Sequence, residues 1–388
     1  GAANANTVDL GAVTINGSVT GGAGSTTGNN KVNMSSTTVS GVVTGGAGSG
    51  TGNALTVKGN NRAGNIAGFQ KLTFNLGNLN RTNPMLRLTS GTATNITFGS
   101  IAFEGTPEPK VGQITLVEKS APSIHVADYA GVRGRTEGDF EYDLDTDTQT
   151  ANAKKILFDG YRFRNAVVTG AASGTDTWAG RSRIGNSTVN NRLTITGGST
   201  TNAYGGWTAG TGTTAPAAQQ NNTKDNTATL NAGTITNLYG GYTDAAAGKA
   251  TGNKVFVNGG SVTANVTGGF GGTDATDNHV TVTGGSVGGT IRGAQSAGTA
   301  HKNTVEIKGG NVHAGILGAD AAGAATENKV TTTGTVTGNI TGAKSTSGAV
   351  TKNVVTIKGN VTGNVTGGQT TGAANANTVD LGAVTING

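Results

Sequence analysis

Apolar and polar residues alternate along most of this chain, and short glycine interruptions reset the alternation. A period of two residues indicates β-strands, because successive side chains of a strand point to opposite faces. Glycine tolerates the positive φ values of sharp corners, so a change of parity at a glycine pair predicts a corner between two short strands. One stretch that shows the whole pattern contains, in order, Val305, Ile307, Gly309, Gly310, Val312, Ala314 and Ile316.

The two-strand pattern repeats with a period of about 25 residues, and each copy begins at an asparagine that precedes an apolar pair. An insertion around 211–225 interrupts the spacing. Well-spaced copies read NKVFVNGGSVTANVTGGF from Asn253, NHVTVTGGSVGGTIRGAQ from Asn278 and NTVEIKGGNVHAGILGAD from Asn303. Further copies begin at Asn6, Asn30, Asn53, Asn191, Asn226, Asn328, Asn353 and Asn377.

Sparse valines and isoleucines at a fixed period predict an all-β fold, a β-solenoid or β-helix in which each repeat forms one coil. Every strand would pair with its copy in the next coil about 4.8 Å away, and the inward side chains would stack into a thin core. The predicted core column, two residues after each asparagine, comprises Val255, Val280, Val305, Val330 and Val355.

The asparagines at the coil starts should also lie above one another. Stacked asparagine side chains can form an amide ladder, and recurrence at one corner favours this structural role over contact with a glycan or ligand. The predicted ladder comprises Asn253, Asn278, Asn303, Asn328, Asn353 and Asn377.

Units of the form NxVxIxGGxVxGNVTGG resemble the passenger regions of bacterial autotransporter adhesins and filamentous haemagglutinin-like surface proteins. The resemblance covers the repeats on both sides of residues 68–168, where the period fails. It implies a β-solenoid and an extracellular, cell-surface location, but no specific activity.

The period fails between residues 68 and 168, where longer apolar strands and most of the phenylalanines occur. We therefore expect regular coils over 1–67 and 169–388, and an irregular β insertion or a widened set of coils over 68–168. The longer strands read FQKLTFNL, MLRLT, NITFGSIAF and QITLVE.

The irregular segment contains EGDFEYDLDTD, in which every second residue from Glu137 to Asp147 is acidic. As one strand it would present Phe140, Tyr142 and Leu144 to the protein body and its acids to solvent or arginine. Downstream, Arg162 and Arg164 share one face of YRFRNAVV and could pair with the acids. Calcium binding is the alternative, but the spacing does not fit a calcium-binding loop, so no metal is expected.

A catalytic site on a solenoid would need carboxylates or bases gathered on one face of successive coils, and the sequence shows no such row. The four histidines fall at different places in their coils. We therefore expect no enzymatic activity and no cofactor. Trp207, Tyr242 and Phe270 occupy equivalent corner positions and form a candidate contact surface for glycans. Aromatic side chains on successive coils would equally stabilise the solenoid or seal it against a neighbouring surface.

Composition narrows the function further. Glycine provides 68 of 388 residues, and cysteine is absent, which excludes disulfides and thiolate chemistry. The formal charge of +6 is scattered, without a basic run, so nucleic acid is not an expected partner. No apolar stretch is long enough to span a membrane. The chain opens on glycine, without a signal peptide, which suggests an excised or processed segment.

The last seventeen residues, 372–388, duplicate the first seventeen, GAANANTVDLGAVTING. The duplication predicts a structural fibre or stalk whose coils continue head to tail, either as a covalent tandem array or by assembly of identical chains. The two copies should then adopt the same conformation. An adhesin that binds a glycan or a host protein is the alternative, and a polysaccharide-cleaving enzyme is a third hypothesis.

Overall fold

The computed structural model describes residues 2–24, 26–46, 50–79, 82–120, 123–209, 221–313 and 315–388. It is all-β, a β-solenoid of about 14 turns with about 25 residues per turn. The fold class predicted from the hydrophobic pattern is therefore confirmed. Ala314, one of the residues in the predicted alternation, and 211–220 of the predicted insertion lie outside the described residues.

Two compact units divide the chain, Gly1–Tyr161 and Arg162–Gly388. The boundary expected from the sequence, between 168 and 169, lies a few residues inside the second unit. Each unit is described by itself.

The described residues of the first unit form two 3-10 turns, Leu76–Asn78 and Phe98–Ser100, and nineteen strands, of which the last extends to Arg162. The strands are β1 (Ala2–Asn4), β2 (Thr7–Leu10), β3 (Thr14–Ile15), β4 (Val19–Thr20), β5 (Thr26–Gly28), β6 (Lys31–Ser35), β7 (Thr38–Thr44), β8 (Ala54–Lys58), β9 (Asn61–Ala67), β10 (Lys71–Asn75), β11 (Leu86–Leu88), β12 (Thr94–Ile96), β13 (Ile101–Glu104), β14 (Lys110–Lys119), β15 (Ile124–Val126), β16 (Val132–Glu137), β17 (Phe140–Thr146), β18 (Asn152–Ala153) and β19 (Lys155–Arg162).

Parallel pairing from coil to coil extends through most of this unit and beyond the regular repeats. One sheet has the order β2-β6-β8-β10-β13, and all of its pairs are parallel. The later strands change direction, because β14 pairs with β19 and β16 pairs with β17 in antiparallel fashion. The irregular segment therefore begins as wider coils and ends as antiparallel strands, around a core enriched in large side chains such as Phe74, Phe103 and Phe158.

The second unit is built from short strands that recur in each coil. They are β20 (Val167–Ala172), β21 (Asp176–Ser182), β22 (Thr188–Val189), β23 (Arg192–Thr208), β24 (Thr223–Lys224), β25 (Thr227–Thr243), β26 (Lys249–Thr251), β27 (Lys254–Val257), β28 (Ser261–Val262), β29 (Val266–Gly271), β30 (Asp274–Thr276), β31 (His279–Val282), β32 (Ser286–Val287), β33 (Ile291–Ser296), β34 (Thr299–His301), β35 (Thr304–Ile307), β36 (Asn311–Val312), β37 (Ile316–Ala321), β38 (Ala325–Thr326), β39 (Lys329–Thr332), β40 (Val336–Thr337), β41 (Ile340–Thr341), β42 (Lys344–Ser345), β43 (Val350–Thr351), β44 (Val354–Ile357), β45 (Val361–Thr362), β46 (Val365–Thr366), β47 (Ala374–Asn375) and β48 (Thr378–Leu381).

The predicted valine column is present in the second unit. Its five members are register partners on successive coils, and each is fully buried. The predicted glycine corner also occurs, with positive φ at Gly260, Gly285 and Gly310. Strand alternation and glycine position thus determine which side chains enter the core. The column comprises Val255, Val280, Val305, Val330 and Val355.

Candidate functional site

The asparagines of the second unit form a continuous hydrogen-bonded ladder. Nδ2 of Asn278 donates to Oδ1 of Asn303 at 3.0 Å, and the backbone N–H of Asn278 donates to the same oxygen at 3.0 Å. The second Nδ2 hydrogen of Asn278 is donated to the carbonyl of Ala250 in the preceding coil at 2.9 Å. The same side-chain bond joins Asn253 to Asn278, Asn303 to Asn328, Asn328 to Asn353 and Asn353 to Asn377.

The ladder lies beneath a corner of small residues, with glycine at Gly241 and Gly269 and alanine at their register partners in later coils, Ala294 and Ala319. A β-carbon at Gly241 would lie 2.4 Å from the side chain of Asn253, and one at Gly269 would lie 2.3 Å from Oδ1 of Asn278. Asn253 and Asn278 are buried, which excludes them from contact with an external ligand. The small residues at this corner therefore provide the space in which the amides stack.

A further recurring geometry, which the sequence analysis missed, lies immediately before the ladder. The preceding residue has a left-handed φ in coil after coil, including residues with charged side chains such as Lys302 and Glu327. Left-handed backbone is costly for a residue with a β-carbon, so the coil imposes it. The row comprises Ala5, Asn29, Gly52, Asn190, Asp225, Gly252, Asp277, Lys302, Glu327, Lys352 and Ala376, with φ between 54° and 79°.

The aromatic residues predicted at equivalent corners are aligned. Trp207 is the register partner of Tyr242, and Tyr242 is the partner of Phe270. The sequence analysis missed a second aromatic row, in which Trp178, Tyr204 and Tyr239 are register partners. The two rows lie side by side on the second unit.

Most of the ring faces in this aromatic surface pack against other side chains. Tyr242 stacks on Phe270 with centroids 4.7 Å apart, and Tyr204 stacks on Tyr239 at 5.2 Å. The guanidinium of Arg181 lies 4.2 Å from the ring centroid of Trp207. Burial raises the pKa values of Tyr204, Tyr239 and Tyr242 above the ordinary value. Stacking of a sugar needs an open ring face, so this packing favours a cohesive role.

A row of polar side chains runs beside the aromatic rows. Nδ2 of Asn202 donates to Asp176 at 2.9 Å, and Nδ2 of Asn237 donates to Oδ1 of Asn202 at 3.1 Å. Asn265 continues the row by donating to Oδ1 of Asn237 at 3.3 Å. Arg292 donates to Oδ1 of Asn265 at 3.2 Å. This second amide row, like the buried ladder, links one coil to the next.

The acidic segment Glu137–Asp147 does not form the single strand that its alternation predicted. Glu137 ends β16, Gly138 and Asp139 form the turn, and Phe140 begins β17. Since Glu137 and Phe140 are direct cross-strand partners, their side chains share a face. Burial accordingly raises the pKa of the Glu137 carboxyl.

The predicted apolar face of β17 is correct, and the acidic face is partly wrong. Phe140, Tyr142 and Leu144 are buried. Glu141 is buried as well, with 1% of its surface exposed, instead of facing solvent. Asp143 pairs with Arg133 of the neighbouring strand at 3.6 Å.

Arginine pairing is therefore present, and Arg133, which the sequence analysis did not consider, provides one of the partners. Arg133 also pairs with Asp145. Of the two arginines proposed as partners, Arg162 donates to the carbonyl of Asn165 at 3.2 Å, and Arg164 lies over the ring of Phe163.

The carboxylates of this hairpin accept hydrogen bonds from the protein itself. Oδ1 of Asp143 accepts from the N–H of Gly134 at 2.7 Å, and Oδ1 of Asp145 accepts from the hydroxyl of Tyr129 at 2.8 Å. Within the described ranges, no group of three or more His, Cys, Asp or Glu side chains could hold a metal ion.

The histidines have separate local partners. His125 Nδ1 lies 2.9 Å from Oδ1 of Asn152, and His301 Nδ1 lies 2.7 Å from Oγ1 of Thr326. Burial lowers the pKa of His279. In the described part of the chain, none of these contacts joins two histidines.

No match to the chain was found among protein-family models, curated proteins or solved structures. The likeness to autotransporter and haemagglutinin-like surface proteins therefore remains a prediction from the repeat pattern. In the described part of the chain, no helix is both long and apolar enough to cross a membrane.

Proposed function

We propose that this chain is a structural segment of an extracellular filament or stalk, in which the solenoid coils continue head to tail. The duplicated segments 1–17 and 372–388 support the proposal by their conformation. Strand β2 in the first copy corresponds residue for residue to β48 in the second. The left-handed residue before the ladder also recurs, with φ of 58° at Ala5 and 54° at Ala376.

The two copies use opposite edges for pairing, and this observation carries the proposal. In the first copy, the N–H of Ala5 donates to the carbonyl of Gly28 in the following coil at 2.9 Å. In the second copy, the carbonyl of Asn375 accepts from Lys352 in the preceding coil at 3.2 Å. The repeated sequence is therefore able to pair in both directions.

The amide ladder follows the same rule. The Asn6 side chain donates to Asn30 at 3.0 Å, whereas the equivalent Asn377 side chain accepts from Asn353 at 2.8 Å. One segment placed between two coils could make both bonds at once. Such a contact joins different surfaces of the two partners and does not close on itself, which is the symmetry of a fibre.

The asparagine ladder is buried and most of the aromatic ring faces are covered. Both features favour a role in holding the coils together over a role in binding a ligand. The stability of a solenoid is approximately the sum of its repeat and interface terms, so bonds between successive coils stabilise a long structural segment. The extracellular location is inferred from the resemblance of the repeat unit to bacterial surface proteins.

Concatenated proteins test this proposal. Chains with one, two and three copies, each new copy adding residues 18–388 after Gly388, are imaged by electron microscopy. We expect unbranched rods whose length increases in proportion to copy number. A matched control carries the 372–388 segment in scrambled order at each junction and should give hinged rods. Hinged rods for the native junction would contradict the proposal.

A further inference from the structure

A row of charged side chains crosses four strands of the first unit. Arg87 of β11 is the register partner of Arg62 in β9 and of Glu118 in β14. Glu118 is in turn the partner of Lys155 in β19. Adjacent strands lie about 4.8 Å apart, so the row is about 14 Å long. It places three cations and one carboxylate on a single line.

The positive charges in this row exceed what the protein neutralises. Glu118 is shared, because it pairs with Arg87 at 2.9 Å and with Lys155 at 3.6 Å. Arg62 is exposed and stands directly beside Arg87, an arrangement of like charges that is unfavourable without a counter-ion. In the described structure, neither the Arg62 guanidinium nor the Lys154 ammonium makes a hydrogen bond or ion pair.

These side chains surround an open cleft of about 560 Å³, a size within the range of ligand sites. Its second carboxylate, Asp147, already accepts from the backbone N–H groups of Lys154 and Lys155 at 3.0 and 3.1 Å. Lys119 also lines the cleft, but its buried Nζ donates to Thr94 at 3.1 Å. The cations at the surface of the cleft are Arg62 and Lys154, whose side chains have no partner among the described residues, and Arg87 and Lys155, which share Glu118.

We propose that this cleft binds an anionic polysaccharide through sulfate or carboxylate groups on its sugars. A guanidinium presents a planar pair of donors that matches such oxyanions, and Arg62 has this pair free. Charges spread along a row fit a polymer with repeated anionic groups better than one small ion. Among the described residues, no aromatic side chain lines the cleft, so this lining lacks the stacking platforms of single-stranded nucleic-acid sites. The site is independent of the proposed fibre.

Binding is measured by calorimetry at about 0.1 M salt, where exposed charges still interact over about 10 Å. The probes are heparin, chondroitin sulfate, polygalacturonate and single-stranded DNA. We expect Arg62→Ala/Lys154→Ala to weaken binding of the preferred polysaccharide at least about tenfold, equivalent to about 1.4 kcal/mol. Glu118→Gln should strengthen binding, because this change removes the carboxylate that pairs with Arg87 and Lys155. A gain in binding cannot result from misfolding.

Arg192→Ala is the matched control, since Arg192 is an exposed arginine at the start of β23 in the second unit. Its binding should equal that of the unmodified protein. Preference for heparin over polygalacturonate would identify sulfate as the recognised group, and the reverse preference would identify carboxylate. The proposal is overturned if no polysaccharide binds, if the double variant binds normally, or if DNA binds as tightly through the same residues.

Discussion

Replacing one asparagine of the buried ladder tests how the coils are held together. Asn303 is fully buried, and its Oδ1 accepts from both the backbone N–H and Nδ2 of Asn278 at 3.0 Å. Its own Nδ2 donates to Asn328 at 2.9 Å and to the carbonyl of Ala275 at 2.8 Å. Asn303→Ala removes all four bonds in a site that water does not reach.

The expected loss follows from the partners left behind. A buried donor or acceptor without its partner costs about 1–3 kcal/mol, and Asn328 keeps a second donor in the backbone N–H of residue 303. The groups that lose a partner are the backbone N–H and Nδ2 of Asn278 and the carbonyl of Ala275. At the lower end of this range, the three together reduce the free energy of unfolding by about 3–4 kcal/mol. Amide hydrogen exchange measures the effect locally, and the Asn278 N–H should exchange at least about a hundredfold faster.

Two further variants separate the ladder from a general packing effect. Asn303→Asp keeps the acceptor but places a carboxylate in the buried site, which should raise its pKa above the unfolded value near 4. The folded state then binds protons more tightly, so this variant should be least stable at neutral pH and recover as pH falls toward 4. Asn311→Ala, at an exposed position, should change stability by less than about 0.5 kcal/mol. Equal effects of Asn303→Ala and Asn311→Ala would refute the reasoning.

Three other predictions follow from the described contacts. Lys302→Gly, Glu327→Gly and Lys352→Gly should together raise the melting temperature, because each relieves a left-handed β-carbon, whereas Gly252→Ala should lower it. Tyr204→Ala should destabilise the second unit by about 3 kcal/mol in urea unfolding, since the ring is buried and stacked, and an unchanged midpoint would contradict its cohesive role. Calorimetric titration with calcium should give no saturable heat, and a stoichiometric site abolished by Asp143→Asn/Asp145→Asn would contradict the assignment of these carboxylates to protein donors.

The coil architecture could be predicted from the sequence because the same types of residue recur at the same positions of each coil. Valine alternation identifies the core column, the glycine pair identifies the corner, and one asparagine per coil identifies the ladder. Copies that share this pattern and the same length stack in register, so Val280, Val305 and Val330 are register partners.

The features that were missed arise where tertiary structure overrides a local signal. Lys302 and Glu327 do not favour a left-handed backbone by themselves, and only the fixed position before the ladder could have indicated it. The two strands of the hairpin are joined by a turn of two residues, so acidic residues still occur at every second position across the turn. The alternation therefore gave no sign that the strand ends at Glu137. The second aromatic row was missed because only one corner position, the position of Trp207, was compared between coils.

Continuation of the solenoid through the repeated segment is tested most directly by hydrogen exchange at one junction. The protein of 388 residues is compared with a two-copy chain in which residues 18–388 follow Gly388. In the two-copy chain, the Ala376 N–H should gain the bond that Ala5 makes with Gly28, and its exchange should slow to the rate of other coil amides. If the Ala376 amide exchanges equally fast in both proteins, the coils do not continue through the junction and the fibre proposal is wrong.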